Sequence, residues 1–155
     1  MWTRSKKTMK TSIRCLLALS WGLHSADFRN TFTFELMYKR IQKAEDNTPL
    51  QFTFVWGMND FFNVKGLTFK GFLDLWGEKL AWTDDQGKTK NTEWVLLSEP
   101  QLWYNVGQHF GCPNLNVGGE VEVACNFAGG WRGGTDFYKN KGFTVAPCLG
   151  IKWVF

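Results

Sequence analysis

The sequence predicts an all-β chain: an antiparallel meander of about seven strands, part of or an incomplete transmembrane β-barrel. Three observations predict it. Seven segments alternate apolar and polar residues with the period of two that a strand imposes. The composition joins 14 Phe and 9 Trp to 16 Gly and only 4 Pro, at a mean hydropathy of −0.27. A barrel strand gives only half its residues to lipid, so such a barrel is aromatic and glycine-rich yet modest in hydropathy. Finally, the chain closes on "CLGIKWVF", with Leu149, Ile151, Trp153 and Phe155 on one face, where chain ends are usually frayed and polar.

The segments follow one another along the chain. "SIRCLLALSWGLH" places Ile13, Cys15, Leu17, Leu19, Trp21 and Leu23 against Ser12, Arg14, Ala18, Ser20 and Gly22. "NTFTFELMYKR" sets Phe32, Phe34, Leu36 and Tyr38 against Thr31, Thr33, Glu35 and Lys39. "LQFTFVWGMN" sets Leu50, Phe52, Phe54, Trp56 and Met58 against Gln51, Thr53, Gly57 and Asn59. In "GLTFKGFLDLWGE" the faces are Leu67, Phe69, Leu73 and Leu75 against Thr68, Lys70, Asp74 and Glu78. "WVLLSEPQLWYNVG" opposes Leu102, Tyr104 and Val106 to Glu99, Gln101, Trp103 and Asn105. "LNVGGEVEVACNF" opposes Leu115, Val117, Val121, Val123 and Phe127 to Asn116, Glu120, Glu122 and Asn126. "FTVAPCLGIKWVF" is the seventh. None has helical spacing over a useful length, and turn signals recur between them.

Alternation alone leaves two ways round. A soluble lipocalin-like barrel encloses its apolar face around a lipid; a membrane barrel turns that face to lipid and keeps a polar lumen. The apolar faces are large, with Trp21, Tyr38, Trp56, Tyr104 and Trp153 near strand ends, where interfacial aromatics belong. The opposite faces mix Glu, Asp, Lys, Asn, Gly and Thr rather than forming a lysine-rich surface. The membrane arrangement is therefore expected. The connections alternate in length: those near Ala44–Pro49, Ala81–Asn91 and Ala128–Lys141 exceed those near Ser25–Arg29, Asp60–Val64 and His109–Pro113. Barrels of this kind have long external loops and short periplasmic turns, which puts the C-terminus on the periplasmic side.

Several functions are excluded or disfavoured. Of the formal charge of +4, Arg4, Lys6, Lys7, Lys10 and Arg14 supply five positive charges; the rest has 13 basic against 14 acidic residues. A basic tail is not the basic, aromatic-laced stripe of a nucleic-acid binder, so no nucleic-acid partner is expected. Cys15, Cys112, Cys125 and Cys148 form no CxxC pair and have no ligand spacing with His24 or His109, so no metal or cofactor is expected. Those two histidines have no serine clearly recurring beside them, and no nucleophile–base pair is visible. An enzyme is not expected, and no catalytic residues are assigned.

The carboxylates and their neighbours on the polar faces are the candidate solute path. They are Glu35, Lys39, Lys70, Asp74, Trp76, Glu99, Gln101, Trp103, Asn105, Glu120, Glu122 and Lys152. In a lumen such groups either pair across strands or line a wet path. Trp76 and Trp103 share that face, where an indole can stack on a ring or fill space.

At "LLSEPQLWYNVG", "NLNVGGEVEVACNFAG" and the closing "GFTVAPCLGIKWVF" the chain resembles the last strands of a family of uncharacterised Gram-negative outer-membrane proteins. That family is similar to the nucleoside-specific channel-forming porins. "FTFELMYKRIQK" and "GFLDLWGEK" resemble the preceding strands. The resemblance implies an outer-membrane barrel, lipid and the barrel-assembly machinery as partners, and a passive path for small polar solutes such as nucleosides. It also implies that Leu149, Ile151, Trp153 and Phe155 form the C-terminal assembly signal. The alternative is a non-conducting structural or adhesion-type barrel.

Residues 1–11 are expected to form a basic, disordered tail and 12–155 the C-terminal portion of a larger barrel, since seven strands is odd and below eight. The competing reading makes Met1–Ala26 a signal peptide. His24 in "HSA" is a poor cleavage residue, and the alternation up to Leu23 favours a strand.

Overall fold

Short turns between alternating segments favour pairing each strand with the next, because hairpin neighbours need no crossover. The computed structural model, which describes residues 14–41, 50–78, 93–127 and 143–155, has this arrangement. The strands are β1 (Arg14–His24), β2 (Asn30–Ile41), β3 (Leu50–Asn59), β4 (Leu67–Glu78), β5 (Glu93–Ser98), β6 (Gln101–Tyr104), β7 (Leu115–Cys125) and β8 (Phe143–Trp153). All pairings are antiparallel, and the only helical pieces among the described residues are single 3-10 turns at Phe61–Asn63 and Val106–His109.

The eight strands are seven in register. β5 and β6 pair with β4 on one side and β7 on the other along a single uninterrupted register. They are separated only by Glu99 and Pro100. Proline lacks the N–H that a central strand donates. The carbonyl of Pro100 still accepts from the Val121 N–H at 3.0 Å, and the Glu99 N–H donates to Phe72 O at 3.1 Å. Opposite Pro100 stands Gly71, where a Cβ would lie 2.5 Å from Glu99 O and 3.0 Å from Pro100 Cα. The proline is accommodated because its neighbour has no side chain.

His24, Asn59, Tyr104 and Trp153 end their strands at one end of the sheet, where the short turns lie. The three longer expected loops, and the proposed tail at residues 1–11, fall outside the described residues. The turns hold one another: Asn59 N–H donates to Arg29 O at 2.8 Å, Asn105 N–H to Gly66 O at 2.9 Å, and Gln108 Nε2 to Lys65 O at 3.1 Å. Gly66 sits at φ 80° with the Gln108 amide 2.9 Å from where a Cβ would be, so both its conformation and its space demand glycine.

Register parity sorts the side chains. One face carries Glu35 and Thr53 opposite each other, then Thr53 and Asp74, Lys70 and Gln101, Gln101 and Glu120, and Asn116 and Lys152. The other pairs Trp21 with Phe34, Phe34 with Phe54, Phe54 with Leu73, and Val117 with Ile151. Among the described residues the sheet is a single layer, yet Val95, Ala124, Trp76 and Thr53 on the polar face are buried, with only the Ser98 side chain buried on the other. Among the described residues no second layer lies over them, and burial of this kind fits a sheet curled around that face. The apolar face is convex and bare: Leu149 is 91% exposed, Ile151 77%, Trp21 75% and Leu19 72%. An aromatic file runs down it from Phe34 through Phe54, Trp56, Phe69 and Phe61 to Phe62, with ring centroids 4.1–5.8 Å apart.

Two expectations are corrected. Phe127 does not continue the apolar face of β7: Asn126, at φ 56°, breaks the strand, and Phe127 packs edge-on against Trp76 at 5.7 Å inside the curl. Phe155 lies beyond β8. The last ladder bond is Val154 N–H to Asn114 O at 3.0 Å, and Phe155 is fully exposed.

Candidate functional site

The concave face is built from chains of hydrogen bonds between adjacent strands. Ser20 Oγ on β1 donates to Glu35 Oε1 on β2 at 3.4 Å. Gln51 Nε2 donates to Thr53 Oγ1 at 3.3 Å, and the Thr53 hydroxyl donates to Asp74 on β4. Two of the predicted carboxylates are thus held by hydroxyls, not by lysines. Among the described residues the ion pairs belong to Arg29, with Asp27 at 3.3 Å and Asp60 at 3.7 Å, both at the turns.

A second chain crosses β6, β7 and β8. Trp103 Nε1 donates to Gln101 Oε1 at 3.1 Å, and Gln101 Nε2 donates to Glu120 Oε2 at 3.1 Å. The indole lies flat because the sheet beneath it has no side chains. A Cβ on Gly118 would come within 2.9 Å of Trp103 Cε3, and one on Gly150 within 3.5 Å of its Cη2. Over the ring, Lys152 Nζ stands 4.5 Å from the centroid, a favourable cation–π arrangement. Beside this chain, Thr53, Val55, Lys70, Phe72, Asp74 and Gln101 line an open groove of about 470 Å³. Glu99 lies within electrostatic reach of Glu120 and Glu122, and Lys152 within reach of Lys70.

Most of the predicted path is therefore one surface: Glu35, Lys70, Asp74, Glu99, Gln101, Trp103, Glu120, Glu122 and Lys152 share the concave face. Lys39 falls at a register position of the same parity, opposite Leu16; its side chain lies outside the described ones. Three expectations change. Trp76 is buried with Val95, Leu97 and Phe127, so it fills space and offers no ring to a solute. Trp103 is half-buried, lying against the glycines and under Lys152, so a solute that stacks on it has to displace the ammonium. Asn105 caps the turn after β6, accepting from Gln108 N–H at 3.1 Å and donating to Pro113 O at 2.8 Å. Sequence reasoning placed Ser20, Gln51 and Thr53 on the polar faces without assigning them to the path, and it missed Gly118 and Gly150; their roles depend on which residue stands across the strand.

The histidines sit at the turns. His24 Nδ1 is 2.9 Å from Ser25 O and its ring stacks on Phe28 at 4.0 Å. His109 Nε2 is 2.7 Å from the Tyr104 hydroxyl. Nearby, the Asp27 carboxyl is held below its ordinary range, first by the Ser25 hydroxyl at 2.5 Å and then by the Arg29 N–H and guanidinium. Cys112, Cys125 and Cys148 are free thiols.

The family described as Domain of unknown function (DUF5020) matches residues 4–155, almost the whole chain. The chain belongs to that family. For the DUF5020 chain, no curated protein and no solved structure gives a match. The concave polar face and convex apolar face described above both lie within the DUF5020 match.

Proposed function

We propose that the sheet is part of a Gram-negative outer-membrane β-barrel whose concave face lines a passive path for small polar solutes, nucleosides among them. The observation that carries this reading is the inversion of the sheet: its enclosed face is polar and its bare face apolar. Soluble monomers rarely expose more than a few hundred Å² of contiguous apolar surface, and here the whole convex face is of that kind. A bilayer is the solvent that such a face fits. A lipocalin-like lipid binder would enclose the Phe pairs, not the carboxylates.

With Trp76 and Trp103 both packed in place, solutes are recognised by charge and hydrogen bonds from Lys70, Glu99, Glu122 and the groove, not by indole stacking. The same packing favours the second reading, a non-conducting structural barrel in which these side chains fill the lumen. Swelling of vesicles carrying the closed barrel separates the two. Swelling in uridine and in sugars of similar size is expected, and vesicles that stay rigid in every solute would establish the non-conducting reading. Outer-membrane lipid and the barrel-assembly machinery are the partners this proposal entails, with Leu149, Ile151, Trp153 and Phe155 as the assembly signal.

A further inference from the structure

The charges of the concave face are sorted along the strands. In the row Lys70–Gln101–Glu120 the two signs stand two strands apart. Beyond that row, away from the turns, the described side chains of this face include Glu35, Asp74, Glu99 and Glu122 and no Lys or Arg. Between that row and the turns, the strands present Thr68, Trp103, Asn116 and Lys152 and no carboxylate. The Lys152 ammonium stands over Trp103, which is opposite Gly118, four residues along β7 from Glu122, or about 13 Å of strand. That exceeds the Debye length of about 8 Å at physiological ionic strength, so Lys152 does not cancel Glu122. Nor are the charges free to drift: Trp103 pins the Lys152 ammonium, and Gln101 ties Glu120 to the same indole.

We propose that the polar path is electrically graded along its length, attracting cationic solutes at the Glu99–Glu122 band and anionic solutes at the Lys70–Lys152 end. This rests on the concave face being wet, as proposed above. A path of this kind takes up small ions of both signs at separate places, and it orients any solute that carries a dipole. Among the described residues these lysines and carboxylates make no direct ion pairs with one another, so the sorting is not neutralised by contact.

The test is amide broadening in the folded chain in uncharged detergent, with two paramagnetic probes: aqueous Mn²⁺ and an anionic gadolinium chelate. The ratio of Mn²⁺ to chelate broadening is expected to be roughly threefold or more higher at Glu99 and Glu122 than at Trp103 and Lys152, as surface potentials of a few kT imply. Lys70→Gln with Lys152→Gln should abolish the chelate preference at the turn end and leave the Mn²⁺ preference at the other. Glu99→Gln with Glu122→Gln should do the reverse. One ratio along the whole face would overturn the grading while leaving the polar path intact. Broadening by both probes at Leu149 and Ile151, with none on the concave face, would overturn the polar path as well.

Discussion

Gly118 and Gly22 both lie on the concave face, and what surrounds them decides what an added methyl costs. At Gly118 a Cβ would lie 2.1 Å from Leu102 O and 2.9 Å from the Trp103 ring; at Gly22 nothing stands within 4 Å. Gly118→Ala should therefore destabilise the folded sheet by roughly 1–3 kcal/mol, the range for overpacking. Gly22→Ala should stay within about 0.5 kcal/mol. Urea midpoints of the two variants in the same lipid or detergent check this. At the turns, the lowered pKa of Asp27 has a definite sign. A depressed carboxyl stabilises the turn fully above its ordinary value of 3.8, and that contribution is lost as pH falls through the lower folded value. Ser25→Ala removes the largest cause, so the Asp27 midpoint read by NMR should rise towards the ordinary value. These contacts were not legible in the sequence. Which glycine opposes which indole depends on register, and a one-residue slip changes every such pair.

Each strand was more legible than its contacts, because a period of two sets the face of every residue once one is known. The exceptions have local causes. Pro100 splits one predicted strand into β5 and β6 by removing a single ladder donor, and Asn126 in the left-handed region turns Phe127 inward. Pro100→Ala restores an N–H aimed at Val121 and should change stability by less than about 1.5 kcal/mol, the net worth of one such bond. Hydrogen exchange would show the new amide protected. On β8, Leu149 projects from the convex face and Ala146 shares the other. Leu149→Lys should cost roughly 2–4 kcal/mol in a bilayer, whereas Ala146→Lys should cost far less; equal costs in a folding titration would contradict the lipid-facing assignment. Since the ladder ends at Val154, removing Phe155 should leave strand content by circular dichroism unchanged. Assembly of the barrel into outer membranes should fall sharply, and wild-type assembly without Phe155 would refute its place in the signal.

Taken whole, the sheet has two edges: among the described residues β1 pairs only with β2, and β8 only with β7. Both strands run towards the turns, so they are parallel. Antiparallel closure therefore needs an odd number of strands between those edges, whichever chain supplies them. Seven strands closed alone would also leave too narrow a lumen for Trp76, Trp103 and the charged side chains. The purified 155-residue chain should accordingly show no steady unit conductance in single-channel recording, and reproducible conductance from a monomer would show that the sheet closes by itself. The central claim, that the apolar face meets lipid and the polar face water, is tested most directly along β7. Spin labels placed in turn from Asn116 to Ala124, in lipid vesicles, report contact with oxygen, which concentrates in lipid, and with a water-soluble nickel chelate. Strict alternation is predicted, with oxygen contact at Val117, Val121 and Val123 and chelate contact at Asn116, Glu120 and Glu122. The reverse assignment, with chelate at the valines and oxygen at the glutamates, would contradict the account.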